Sequence, residues 1–542
     1  MSKVVAKLLV VRTPVYPRCL CTVPGIKAVP SGEYCLFVML RHMGMHQSAG
    51  NRLRRANLAG IAVLTIGLAA AISITGCGVQ YRPVVSAIGP VGPAGQPQKF
   101  AVAISNPTTT SPGLVTVVDF SGDTVLSTPQ IQNNPSYFQL NTNGSQGFTI
   151  NTQGSLDSIP LSSPASLLTS NVTETTLPTD SAPVSITALS PASGLSTIFI
   201  PLASTNSVAA LNAGTAALYD TVGIQGGGSN PVYVVGAAGT PRVYAISQNA
   251  AGSNGQVDAL ETVSTTSLSD SAQIPVGVDP VYGVMTASDL RAFILNQGSG
   301  TVSVLNVPSN ALDTLPPGSV PTGTPVGTIP LCTPSSATAN PPCPGINPVW
   351  ADLNTVANEL VVLNQGTMGN PGSLSVINIP LCNSSAQAAN PNCSTTNPVD
   401  AAGFGQILAT VPVGINPSMV SVLQGTDTNA PAAYVINQKD STGTCTDTNS
   451  GTVTVINLQT NQITATICGV SGNNATAAVN GASNVIFGHP NSVSATGGSP
   501  AGKVYVTSSD STYLSVIYTD TNTVETHISL QGTGLRVLVT AP

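Results

Sequence analysis

The sequence predicts an all-β protein, specifically a β-propeller of four-stranded antiparallel blades. Three observations carry this. A proline opens a strand-rich unit at Pro135, Pro183, Pro231, Pro280, Pro348, Pro417 and Pro490, and the steps between them (48, 48, 49, 68, 69 and 73 residues) are those of a repeat array. Inside each unit, short runs rich in Val, Ile and Leu alternate with polar residues and end in Gly, Asn or Asp, which is the pattern of strands and hairpins. Charge is scarce at 7 % of residues, while Gly (52) and Pro (43) are common, and no amphipathic helical window follows residue 77. Short strands at this spacing are characteristic of propellers.

Taken from the start, residues 1–42 fit no part of an export signal. They hold Cys19, Cys21, Cys35 and scattered prolines. The expectation is an overlong, unstructured gene start, with translation beginning at Met43 or Met45; a short three-cysteine module is the alternative. Residues 43–76 are expected to be a signal peptide. Arg52, Arg54 and Arg55 precede an uncharged apolar run from Leu58 to Ile74. Small residues then lead to Cys77, as in a secretory signal. Residues 77–97, rich in Gly and Pro, read as a tether. No stretch after Cys77 is long and apolar enough to span a bilayer.

Residues 98–542 are the expected propeller. Residues 99–131 supply second, third and fourth strands without a first. The unit centred on Pro280 shows the full pattern: Pro280-Val281 opens one strand, Arg291–Asn296 forms the next and Gly300–Asn306 the third, across an Asn-Gln-Gly-Ser-Gly turn. Third strands recur at Gly113, Gly372 and Gly451, second strands at Leu360, Ala433 and Val504, and outer strands at Asn461–Cys468 and Thr523–Ser529. Leu535–Thr540 looks like a first strand lacking the rest. Joined to 99–131 it would complete a composite blade and leave no open sheet edge. The count is then eight blades, or seven if the weakly patterned segment 135–180 is not one.

The strings Tyr434-Val-Ile-Asn and Gly451-Thr-Val-Thr-Val-Ile-Asn resemble the YVTN-type β-propeller repeat family over roughly residues 98–541. The resemblance implies a ring of four-stranded blades, often on exported or surface proteins, in a group with both binding proteins and a lactonase-like branch. Ile74-Thr-Gly-Cys77 resembles the bacterial lipoprotein signal. That resemblance implies lipidation of Cys77, a membrane anchor, and, with Gly78 following, an outer-membrane or cell-surface location.

The insertions that lengthen the later units contain matching cysteine pairs. Cys332/Cys343 and Cys382/Cys393 each enclose ten residues between similar flanks. Two local disulfides are expected, each stabilising by ~3 kcal/mol in the chain-entropy model. Cys445 and Cys468 remain as a third pair. No Cys-x-x-Cys and no nearby His suggests a metal, so no metal or cofactor is expected.

Nine of the 16 Lys and Arg lie at or before residue 77 but only one of the 22 Asp and Glu, so the remainder carries a net −14. Such a body repels phosphate backbones, which argues against nucleic acid as a partner. No catalytic constellation is legible. His489 stands where other units have Asn or Asp before Pro and reads as a turn residue; His527 reads as exposed on an outer strand. Asp279, Asp289 and Arg291 read as turn caps on a solvated edge, and Trp350 as blade packing. Repeated Asn at 296, 306, 364, 378, 437 and 457 reads as satisfying turn backbone. The functional expectation is a monomeric, lipid-anchored binding or scaffold propeller for a protein or glycan ligand, with unspecified binding residues. An exported hydrolase of the lactonase-like kind is the alternative.

Overall fold

The computed structural model describes residues 99–163, 167–189, 197–237, 242–264, 267–332, 345–380, 403–425, 430–445, 450–469, 487–498 and 501–540. All belong to the compact unit Pro83–Pro542. The expected gene start, signal, tether and Cys77 lie outside the described residues, as do Cys343, Cys382 and Cys393.

The described chain is a β-propeller of eight blades. Blade 1 is composite: Thr533–Val539 is its inner strand, followed outward by Phe100–Asn106, Pro112–Asp119 and an outer strand split into Thr124–Ser127 and Gln130–Asn133. The first and last strands of the described chain therefore pair, antiparallel, with Val102 opposite Leu538 and Ala103 opposite Val537. Blade 2 starts at Pro135–Leu140, blade 3 at Thr187–Leu189, blade 4 at Pro231–Val235, blade 5 at Pro280–Met285, blade 6 at Pro348–Asn354 and blade 8 at Pro490–Thr496. Blades 6 and 7 share one long strand, Ile407–Leu423. Its first half closes blade 6 against Pro371–Asn378, and its second half opens blade 7 against Ala432–Lys439. The seven hydrogen-bonded sheets thus contain eight blades. The weakly patterned segment after Pro135 is one of them, with strands Pro135–Leu140, Gln146–Asn151, Ser155–Pro160 and Thr173–Thr176.

Eight apolar cores lie between the blades, each shared by two neighbours. Phe148 and Ile150 of blade 2 meet Ile198 and Ile200 of blade 3, and Phe293 of blade 5 meets Leu360 and Phe404 of blade 6. The cycle closes where Tyr505 and Leu514 of blade 8 pack on Ala101, Val118 and Val537 of blade 1. This is why the strands are apolar on both faces: a blade is covered on each side by the next. The inner strands touch in the same cyclic order.

Two local devices fit strands to ring. A Cβ at Gly255, Gly372 or Gly451 would collide with the opening proline of the following blade (Pro280, Pro417, Pro490), so glycine lets the third strand and that proline approach closely. Most opening prolines follow a left-handed residue: Asn134, Asn230, Asp279, Asn347 and Asn416 have φ between 50° and 56°. Asn and Asp tolerate that conformation best among side-chain-bearing residues.

Five of the six repeated asparagines divide into two groups, while Asn378 Nδ2 donates to Gly403 O. Asn296, Asn364 and Asn437 are fully buried, and each donates through Nδ2 to two hydroxyls of the adjacent strand (Thr301 and Ser303; Ser373 and Ser375; Thr452 and Thr454). These tie strand two to strand three. Asn306 and Asn457 do serve turns, their Oδ1 accepting from Ser309 N and from Gln459 N and Thr460 N. Cys445 and Cys468 form a disulfide in blade 7. Cys332 is also disulfide-bonded.

Candidate functional site

Six of the seven opening prolines are followed by a bulge. The register against the second strand skips one residue between Pro135 and Tyr137, Pro231 and Tyr233, Pro280 and Tyr282, Pro348 and Trp350, Pro417 and Met419, and Pro490 and Ser492. Blade 1 has the same irregularity opposite Gly534 and Arg536. A bulge re-aims the side chain that follows it. Here the second residue after the proline follows the bulge: Met419 enters the core between blades 7 and 8, Ser492 donates to Val537 O, and the others meet one another.

Five of these side chains meet. Tyr282 stacks on Trp350 with ring centres 4.1 Å apart, and Tyr233 lies 4.7 Å from Tyr282. The guanidinium carbon of Arg536 lies 4.3 Å from the ring centre of Tyr137 and 5.3 Å from that of Trp350. Arg536 belongs to blade 1 and Trp350 to blade 6, which are not neighbours. Their contact therefore crosses the central channel. Tyr137, Tyr233, Tyr282, Trp350 and Arg536 are surrounded by neighbours yet keep partial exposure, as residues lining a narrow shaft do.

The electrostatics of the shaft are simple. Arg536 and Asp352 are the only charged residues on the eight inner strands. Asp352 does not face Arg536: its oxygens accept from the backbone N–H groups of Leu353 and Val422, both at 2.8 Å. Burial pushes its carboxyl up to about 6, against the two amides, which favour the ionised form. Burial likewise drives the Tyr233 and Tyr282 hydroxyls far above their ordinary range, so both are neutral. Rings, neutral phenols and one guanidinium suit binding a ligand by stacking and charge.

Other sequence candidates lie apart from this cluster. Trp350, within the cluster, packs against the cores between blades 6 and 7 and between blades 7 and 8, as expected. Arg291 corrects an expectation: it does not cap a solvated edge but is wholly buried and paired with Asp313. Asp279 and Asp289 do occupy left-handed turn positions. His489 lies outside that region of backbone space; its Nδ1 is 2.6 Å from Asp510 Oδ2 in an exposed pair. His527 is exposed on the outer strand Thr523–Ser529. A cleft of about 820 Å³ between blades 4 and 5 is lined by Asn254, Gln297, Ser299, Thr301, Pro321 and Val326 among others, without an ionisable side chain. Among the described residues, no group of three His, Cys, Asp or Glu is placed to hold a metal.

The signal that sequence reading missed is present in the register. Aligned on the opening proline, four units carry an aromatic residue at the same second position: Tyr137, Tyr233, Tyr282 and Trp350.

Fold and site define a β-propeller with an aromatic-lined channel. The chain matches no protein-family model and no curated protein. Among solved structures it is similar to dihydro-heme d1 dehydrogenase NirN in complex with DHE, at 10 % identity and a TM-score of 0.52 over 82 % of this chain and 75 % of that one. It is also similar to apo AztD from Citrobacter koseri (11 % identity, TM-score 0.48, 81 % and 97 % covered). A third is virginiamycin B lyase from Staphylococcus aureus (10 % identity, TM-score 0.39, 69 % and 90 % covered). At such identities the likeness concerns the fold alone.

Proposed function

We propose that this protein is a YVTN-type propeller lipoprotein of the bacterial cell envelope, anchored through Cys77, and that its propeller is a binding or scaffold module for a protein or glycan partner. One observation carries the binding role: five side chains from five blades converge in the channel, and they are rings and a guanidinium. The single channel acid, Asp352, has its oxygens engaged by backbone amides. A hydrolase would need a nucleophile or activated water beside an acid–base pair, and the cluster does not resemble one.

The reading is tested with the mature protein. Arrays of envelope glycans and peptides are expected to retain it, with retention lost in Trp350→Ala. Turnover of lactones that disappears in Asp352→Asn would instead establish the hydrolase. Mass spectrometry is expected to find Cys77 as the acylated first residue; a mature protein still carrying Arg52–Ile74 would overturn the anchor.

A further inference from the structure

We propose that the channel cluster is a receptor for a carboxylate carried on a ring, with Arg536 binding the charge, Tyr137 supplying a second donor and the mutually stacked Trp350 and Tyr282 forming an aromatic wall beside them. This rests on the reading of the channel as the binding site and names the chemistry of its ligand.

The case starts from Arg536. Among the described residues its guanidinium has no carboxylate partner and no hydrogen-bond acceptor, and its Nε is buried and unpaired. A guanidinium carries five N–H donors. The rings of Tyr137 and Trp350 compensate part of its charge, but accept none of those donors in the plane of the fork. The neighbouring Tyr137 Oη is a second buried group without a partner. Two adjacent unpaired donors in one shaft form a site for an anion. The fork geometry favours the flat, two-oxygen face of a carboxylate.

The walls narrow the class further. A cationic ligand is disfavoured because Arg536 itself occupies the aromatic cage. A dianion is disfavoured by the acidic body. Trp350 and Tyr282, stacked on each other at 4.1 Å, form an apolar wall beside the guanidinium, which suits a carboxylate carried on a ring. Either an aromatic acid or an acidic sugar of a glycan carries this combination.

Trp350 is the only tryptophan of the chain, so its fluorescence reports directly on the site. The full protein is titrated with benzoate and with glucuronate, and in parallel with the neutral counterparts benzamide and methyl glucoside. At least one acid is expected to shift Trp350 emission saturably below roughly 10 mM, and to do so about tenfold more tightly than its neutral counterpart. The better acid identifies the source, aromatic or sugar. Arg536→Gln is expected to weaken the acid about tenfold or more and leave the neutral compound unaffected. Because Arg536 lies on the ring-closing strand, Tyr137→Phe provides a second variant that removes only one oxygen; it is expected to weaken the acid while the melting temperature holds.

Equal affinity for acid and neutral counterpart, or wild-type acid affinity in both variants, would overturn the carboxylate inference and leave the channel as a binding site. Silence of Trp350 toward all four probes would overturn the inference as well, and retention of the wild type on the arrays would then show that binding itself stands.

Discussion

Arg291 Nε lies 2.5 Å from Asp313 Oδ2, and the two side chains are 0 % and 6 % exposed. Arg291 starts the second strand of blade 5, and Asp313 follows the first piece of that blade's outer strand. Asn306 Nδ2 and Thr314 N donate to the other carboxylate oxygen. The pair thus ties strand two to the outer edge of the blade across strand three. An ion pair out of solvent is held together by mutual need: each partner alone would be a buried, uncompensated charge.

Arg291→Met is therefore expected to destabilise by about 3–5 kcal/mol, because it strands Asp313. The double replacement Arg291→Met with Asp313→Leu is expected to recover most of that loss. Urea unfolding of the three proteins checks both statements; equal losses in the single and double variants would show that packing, and not the charge, was the issue.

The fold was readable from sequence largely because its repeat is punctuated. The opening prolines and third-strand glycines stand in contact across neighbouring blades, so both are spaced by the ring itself. Blade 2 was the weak case: its second and third strands, Gln146–Asn151 and Ser155–Pro160, lack the Val/Ile alternation, and their packing comes from Phe148, Ile150, Leu156 and Ile159. Arg291 was misread because it adjoins a turn, and its partner lies in a different strand; no local pattern announces that pair. The packing of Trp350 was legible, but its contact with Arg536 was not. That contact depends on a bulge and on ring closure, which bring residues of distant blades to one axis.

Asp258 gives the stability of the protein an unusual pH dependence. It lies on the third strand of blade 4 with 0 % exposure. Gln256 Nε2 donates to its Oδ1 at 2.6 Å. Burial, with the nearby negative charge of Asp270 adding to it, pushes the carboxyl up to about 8. The folded protein then holds a proton that the unfolded chain, with a carboxyl near 3.9, releases. The resulting stabilisation is complete below about pH 4 and is lost as pH rises toward 8. Asp157 and Asp352, raised to about 6 by burial, act in the same sense over the lower part of that range. The window from pH 7 to 8 isolates Asp258, since it lies above Asp157 and Asp352 and above the ordinary range of His527, which burial lowers. Asp258→Asn is expected to flatten urea stability across that window and to exceed wild type at pH 8. A wild-type slope retained in the variant would assign the proton elsewhere.

Ring closure depends on seven residues at the end of the described chain. Thr533–Val539 pairs along Phe100–Asn106. Blade 8 holds the strand from its other side: Asn491 Nδ2 donates to Gly534 O at 2.8 Å, Val537 N donates to Ser492 Oγ at 3.1 Å, and Val539 N donates to Ser494 Oγ at 3.2 Å. Val537 is fully buried in the core between blades 8 and 1, while Leu535 and Leu538 pack on the core between blades 1 and 2. Removing residues 533–542 would uncover both cores, each large apolar side chain there being worth roughly 1.5–3 kcal/mol. It would also expose the edge of Phe100–Asn106, a template for pairing with another chain. The truncated protein is expected to lose its single cooperative thermal transition and to aggregate on heating. Calorimetry with light scattering measures both. A truncated protein with an unchanged, reversible transition would mean that seven blades and an incomplete eighth suffice. In that case the pairing of the first and last described strands would contribute only the placement of Arg536 in the channel.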